Sequence, residues 1–429
     1  MQLTGSKSSS TQEGLSREEL GQRMHESDKQ AVHDQWWLMT LFAALVPFGM
    51  SLAISLRPLK KLMSEDPEWS PSFSDQDMVL LDGAMLAPGV IIPVLMGIAM
   101  DAVWSVNLSV LVCLIGSVMG SFFVAMGFAW HSFGLALTGR VISGFCMGSL
   151  FVVVDVIATQ FNRRRKGVTF GLISAVKTGA IYLNTYWMKN FTTRSLDADY
   201  EKMDDVLLIS ALVSLGIGFL WSPLVASFNM DDSVKRRKSS WKWHIGGSIW
   251  SLALCTMIVG MFYSNVFFEE LSTSSTGLLA STILIGPVLG YWLDVTDKSQ
   301  DGSLSITNLL VGATWLFLLG QMLRNLMGVD WGISGIAIGV FPMLLRLAVP
   351  QVSRRDNLCA SFGIIECASF LSGILVHDSE PLTFLNQLIL LAVALFLFTF
   401  VTHRVKQKWN VTDQSRLEQL IEPLQARGA

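Results

Sequence analysis

Gly97-Ile-Ala-Met-Asp101 closes one long apolar run of this chain, and Gly290-Tyr-Trp-Leu-Asp294 closes another, 193 residues later. A second correspondence runs beside the first. Arg164-Arg165 precedes Phe170-Gly171-Leu-Ile-Ser174, and Arg354-Arg355 precedes Phe362-Gly363-Ile-Ile-Glu366, 192 residues on at the Phe-Gly pair. One such match arises easily by chance, but two at nearly the same offset define a parallel internal repeat. In an apolar chain such a repeat places a solute site between two equivalent halves.

The surrounding composition is that of a membrane protein. Charged residues make up 15% of the 429, against roughly 25% in soluble proteins. Apolar types make up 51%, with 35 glycines besides, and the mean hydropathy is +0.47. A soluble core does not use that much apolar surface, whereas helices facing lipid do. Apolar runs of about 20 residues predict twelve spans. They lie near 36–57, 78–100, 103–127, 132–160, 167–188, 205–227, 246–268, 276–294, 304–324, 331–352, 357–376 and 381–403. The predicted fold is all-α, with twelve transmembrane helices in two pseudo-symmetric six-helix halves. Residues 1–35 form a polar N-terminal tail, 36–227 the first half, 228–245 a basic linker, 246–403 the second half and 404–429 the C-terminal tail. No short apolar run with a cleavage-type site precedes the first span, so no signal peptide is expected.

Basic loop residues set the orientation. Loops after even-numbered spans carry Arg163, Arg164, Arg165, Lys166, Lys235, Arg236, Arg237, Lys238, Lys242, Lys298, Arg354 and Arg355. Loops after odd-numbered spans carry the smaller set Arg57, Lys60, Lys61, Lys189, Arg194, Lys202 and Arg324. The richer side, and both tails with it, is predicted to be cytoplasmic.

Asp101 and Asp294 each follow a glycine, Gly97 or Gly290, by four residues. Glycine lets helices approach closely and a carboxylate can hold a neighbouring helix end, so each motif reads as a gating clasp. The plain alternative is an ordinary interfacial acid, and recurrence favours the clasp. The basic residues usual after such a motif are missing behind Asp101, where Ala102-Val-Trp-Ser follows.

Lys177 is about ten residues into its span, roughly 15 Å deep at 1.5 Å per residue. A cation at that depth is costly and usually functional. Ser174, Lys177, Ile181 and Asn184 share one helical stripe, which can line an aqueous cavity. Glu366 is the repeat equivalent of Ser174 and is similarly deep. Together Lys177 and Glu366 can bind the two ends of a zwitterion, with Ser174 and Asn184 beside them; alternatively they pair with each other. Arg140, within Gly139-Arg140-Val-Ile-Ser-Gly144, reads as either a gating or a structural residue. Asp155 reads as a structural partner for the Arg163–Lys166 cluster. Arg346, between Pro342 and Pro350, lies within snorkelling reach of the cytoplasmic face. Glu269 and Glu270 mark an outer interface.

A net charge of −3 supplies no basic field for nucleic acid. Cys113, Cys146, Cys255, Cys359 and Cys367 are scattered singly, without metal-ligand spacing, and read as small buried hydrophobes. No P-loop, zinc set or nucleophile elbow is present. The chain is therefore expected to be no enzyme, with no catalytic residue, metal or cofactor. Its expected partners are a small-molecule solute and membrane lipid. Asn190-Phe-Thr192 is a glycosylation sequon on the non-cytoplasmic side, and Asn410-Val-Thr412 is predicted to be cytoplasmic and unmodified.

Twelve spans, the six-plus-six repeat, the basic linker and the Gly-x-x-x-Asp motifs resemble the major facilitator superfamily over about 36–403. Four stretches resemble its lysosomal dipeptide uniporter branch: Gly139–Gly144, Phe170–Lys177, Val266-Phe267-Phe268-Glu269-Glu270 and Gly290-Tyr-Trp-Leu-Asp294-Val-Thr. The resemblance implies a peptide-carboxylate role at Lys177, where the branch has arginine; lysine keeps the charge but loses the bidentate fork. The acidic residue that the branch places in the fourth span is Gly148 here, and Glu366 is the candidate replacement. The resemblance also implies a lysosomal membrane, with the plasma membrane open, and a glycosylated single-span accessory subunit. The expected function is secondary transport by alternating access, with dipeptides or other small zwitterions as cargo. A proton-coupled organic-anion carrier and a transport-inactive sensor or scaffold are the alternatives.

Overall fold

A computed structural model describes residues 74–102, 104–161, 165–179, 245–271, 276–296, 302–327, 333–353 and 357–377, with 212, 216, 393–394 and 396–397 besides. The predicted first span, most of the sixth and twelfth, nearly all of the linker, both tails, Asn184 and both sequons lie outside these residues. The described part is helical throughout. It comprises α1 (Asp75–Gly89), α2 (Ile92–Ala102), α3 (Val106–Ala129) and α4 (Phe133–Phe161), followed by a helical stretch at 166–179. The second half comprises α5 (Gly247–Leu271), α6 (Thr276–Thr296), α7 (Gly302–Met327), α8 (Ile333–Val352) and α9 (Leu358–His377).

Local chemistry explains where these helices begin and bend. Ser74 opens α1 with a reciprocal box: its Oγ accepts from Asp77 N–H at 3.2 Å, and Asp77 Oδ2 accepts from Ser74 N–H at 2.8 Å. α1 and α2 form a single span broken at Val90-Ile91, between Pro88 and Pro93, because proline removes a helical donor and crowds the preceding turn. The predicted second span is thus a kinked pair. Ser105 caps α3 through Leu108 N–H at 3.2 Å. α3 turns back into α4 through His131, whose φ of 53° lets Ser132 N–H reach the Gly127 carbonyl at 2.8 Å.

Four stretches, Gln76–Ala102, Leu108–Ala129, Phe133–Thr159 and Leu358–Leu375, are long and apolar enough to cross a membrane, and Gly247–Met261, Ile283–Thr296 and Gly339–Val352 are shorter apolar helices. The protein is a multi-pass membrane protein. Leu80, Ile115, Phe122, Trp250, Val288, Trp292 and Trp315 expose their side chains outward, as lipid-facing positions require. α4 and α8 are the inner helices: Val152, Val153, Met343, Leu344 and Val349 are fully enclosed. The halves meet where α9 packs on α1, α2 and α4, and where the 166–179 helix lies on α6.

Candidate functional site

Two equivalent contacts close one end of the bundle. The Asp101 carboxylate, at the end of α2, accepts from Cys359 N–H at 3.2 Å and Ala360 N–H at 2.8 Å, the first donors of α9. The Asp294 carboxylate, at the end of α6, accepts from Gly167 N–H and Val168 N–H, both at 2.8 Å. Each acid thus caps a helix of the other half, where free N–H groups and the helix dipole favour an anion. The glycine one turn earlier makes room for this. A Cβ on Gly97 would strike the Cys359 carbonyl, and one on Gly290 would strike the Gly167 carbonyl. Just inside the two caps, Phe170 and Phe362 touch across the halves, ring centroids 6.4 Å apart and both fully buried.

Further in, charge is concentrated at the interface between the halves. Arg346 of α8 donates from Nε to Asp155 Oδ2 at 2.9 Å and from Nη2 to Glu366 Oε1 at 2.7 Å. Asp155 is 1% exposed, Glu366 2% and Arg346 6%, so the triad is cut off from bulk water. Asp155 belongs to the first half, and Arg346 and Glu366 to the second. Lys177 Nζ lies 3.7 Å from the centroid of the Phe151 ring, a cation–π contact. Among the described residues Lys177 makes no ion pair within 4.0 Å, although it is close enough to act electrostatically on both Asp155 and Glu366. Arg346 Nη1 and Glu366 Oε2 are buried and have no hydrogen-bond partner among the described residues. A donor, an acceptor and a cation therefore converge without being used up by each other. That set can hold an anionic group against Lys177 and Arg346 and a donor against Glu366.

The structure brings Lys177 and Glu366 to one region, but Glu366 pairs with Arg346 instead of Lys177. Ser174 is buried at 4% one turn from Lys177. Two assignments from sequence are corrected. Arg346 does not snorkel outward, because α4 and α9 offer it two carboxylates inside. Asp155 pairs with Arg346 and not with the basic loop after α4. Arg140 also points inward, donating to Asp82 Oδ1 at 3.3 Å and to Met85 Sδ at 3.0 Å. Those partners lie in α1, so this pair braces the first half within itself. At Gly148, a Cβ would sit 2.9 Å from Pro93 Cγ and 3.2 Å from the Phe370 ring. An acidic side chain has no room there. Cys113, Cys255, Cys359 and Cys367 are buried free thiols, and Cys146 is half-buried.

This architecture is found in solved transporters. The chain is similar to FucP in its outward conformation, with a TM-score of 0.59 and 13% identity over 84% of this chain and 98% of that one. It is similar to the proton:xylose symporter XylE, with a TM-score of 0.62 and 13% identity over 87% and 96% of the two chains. A third similarity is to the human organic anion transporter MFSD10, with a TM-score of 0.57 and 13% identity over 87% and 97%. The chain has the major facilitator fold. No family profile and no curated protein matches it in sequence. At these identities the likeness concerns the fold, and function has to be argued from the site.

Proposed function

We propose that this chain is a secondary transporter that moves small solutes by alternating access, with dipeptides or other small zwitterions as cargo. The observation that carries the proposal is the buried Asp155–Arg346–Glu366 triad with Lys177 beside it, on the line where the halves meet. Burying three charges in a membrane protein, with a fourth half-buried beside them, is costly. Unused hydrogen-bonding capacity at two of them argues for a ligand. Lys177 and Arg346 Nη1 take the carboxylate, Glu366 Oε2 takes the amine and Ser174 lines the path, with Asn184 assigned to the same path from its sequence spacing alone.

In this reading the clasp end faces the cytoplasm, in keeping with the loop charges. Asp101 and Asp294, with Gly97 and Gly290, hold that end shut until the halves rock apart. Arg140 is a brace that keeps the first half rigid while it moves. The chain performs no chemistry on its cargo. A lysosomal membrane and a glycosylated single-span partner rest on the dipeptide-branch resemblance. The second reading is an organic-anion carrier: two cations at the site and the likeness to an organic anion transporter favour it.

The test is uptake of a labelled dipeptide into proteoliposomes by the wild type, Lys177→Ala and Glu366→Gln. Saturable uptake that either substitution abolishes supports the site. Strong wild-type uptake untouched by both rejects the site, and no uptake rejects the dipeptide reading.

A further inference from the structure

The four charges at the interface sum to zero, since Lys177 and Arg346 balance Asp155 and Glu366. This is the full set of charged side chains that face Glu366 among the described residues. α4 supplies Asp155, the 166–179 helix supplies Lys177 and α8 supplies Arg346. Asp82 and Arg140, on α1 and α4, are engaged with each other. Asp101 is at the far end of α2, on the α9 N-terminus. The described side chains of α5 add the uncharged Cys255 and Thr256.

A site that is neutral and enclosed is penalised by any ligand that leaves it charged. The Coulomb energy of an uncompensated charge grows as the local dielectric falls, and no solvent is at hand to screen it. A zwitterion adds no net charge, so it can enter alone. A monoanion leaves the occupied site at −1 unless a cation comes with it. Among the described residues no three His, Cys, Asp or Glu side chains cluster as a metal ion would require. A proton, in contrast, has a place to sit. Glu366 Oε2 is a buried carboxylate oxygen with no hydrogen-bond partner among the described residues, while Oε1 is held by Arg346.

Resting on the transport reading above, we infer that this site carries electroneutral loads: a zwitterion by itself, or a monoanion together with one proton bound to Glu366. The proton is taken from water on the loading side as the Glu366 carboxylate becomes a carboxylic acid. On the unloading side the same O–H bond gives it back to water as the anion leaves. Glu366 therefore has two uses, as an acceptor for the cargo's amine when there is one and as a proton carrier when there is not. One chain can in this way behave as a uniporter for one cargo and a proton symporter for another.

The experiment uses the full chain in sodium-free potassium-buffered proteoliposomes. The probes are alanyl-alanine, a neutral zwitterion, and N-acetyl-alanyl-alanine, the same backbone without the ammonium. Label uptake, internal pH and the response to an imposed membrane potential are read together. Alanyl-alanine is expected to equilibrate without accumulating, moving neither protons nor charge. N-acetyl-alanyl-alanine is expected to enter with one proton, ignore the membrane potential and accumulate about tenfold per unit of inward pH gradient. In Glu366→Gln the empty site carries +1, so the acetylated probe should enter without a proton and carry charge. Asp155→Asn leaves the empty site at +1 as well, so it should likewise admit the acetylated probe without a proton and with charge movement, and this matching change in two variants separates the site's charge balance from a general loss of structure. Wild-type entry of the acetylated probe that follows the membrane potential without proton movement overturns the inference and leaves transport standing. Failure of the wild type to move either probe rejects the transport reading, and the inference falls with it.

Discussion

Arg346 Nε lies 2.9 Å from Asp155 Oδ2 although 191 residues separate them, almost the interval that relates the two halves. The acid and the base thus occupy near-equivalent turns of the two inner helices, α4 and α8, one or two residues out of the repeat register. Arg346 also serves Glu366, so its fork has two duties. Arg346→Met leaves two buried carboxylates unpaired, a change that typically costs about 3–5 kcal/mol. Its melting temperature in detergent should fall well below that of the wild type. Adding Asp155→Asn to Arg346→Met should recover part of the loss, and a double-mutant cycle measures that coupling. Arg346→Lys keeps the charge but cannot bond both acids in these directions, so uptake should drop at least tenfold.

The architecture was legible because its signals are local and repeated. Gly97 with Asp101, and Gly290 with Asp294, each fit within one helical turn, and apolar run length marks most described spans. The Asp155–Arg346 tie has no such local signature. Arg346 is six residues from the end of α8, which reads as a snorkelling distance, but α8 is an inner helix and its end is not a route to water. One signal was available, since adding the repeat interval of 192 or 193 to Asp155 leads to Leu347 or Ala348, within two residues of Arg346. The kink in the second span was likewise legible in Pro88 and Pro93.

The clasps should set how long the Asp101/Asp294 end stays closed. A carboxylate at a partly buried helix N-terminus contributes up to about 2 kcal/mol, or roughly 30-fold in an equilibrium. Asp101→Asn and Asp294→Asn should each shift the population toward opening, and the pair should shift it further. Electron–electron distance measurements between spin labels at Trp104 and Thr296, in a cysteine-free background, would record a longer distance at this end. An unchanged distribution in the double variant would remove the gating role.

Arg140 should behave differently, because its partners Asp82 and Met85 lie in its own half. Arg140→Met leaves Asp82 without this charge partner and should lower thermal stability. The same pair of labels should report an unchanged distance distribution. A shift like that of the Asp101 variant would show that the brace is coupled to gating.

Gly148 tests how far the dipeptide-branch resemblance reaches. Restoring an acid there by Gly148→Glu drives a side chain into Pro93 and Phe370, where even a Cβ is tight. Overpacking of this kind costs about 1–3 kcal/mol. The variant should melt earlier and gain no dipeptide uptake. Higher uptake would mean that α2 and α9 can part to admit the acid, and that Glu366 is not its replacement.

Phe170 and Phe362 are repeat mates, and they seal the space between the caps and the charged site. When the halves part at this end, both rings lose their shared cover and face water. Burying a phenylalanine side chain is worth about 1.5–3 kcal/mol, so each ring favours the closed form by roughly 10- to 100-fold. Phe362→Ala should therefore populate the open form much as loss of a clasp does, although no charge has changed. Because the rings touch, the double alanine variant should shift the equilibrium by less than the two single shifts combined. Salt separates the two kinds of contact. The clasp contribution is electrostatic and weakens as ionic strength rises, whereas the ring contribution is apolar and does not. Label distances at low and high potassium chloride, compared for Phe362→Ala and Asp294→Asn, check this directly: salt should still open the Phe362 variant further and have a smaller effect once Asp294 is neutral.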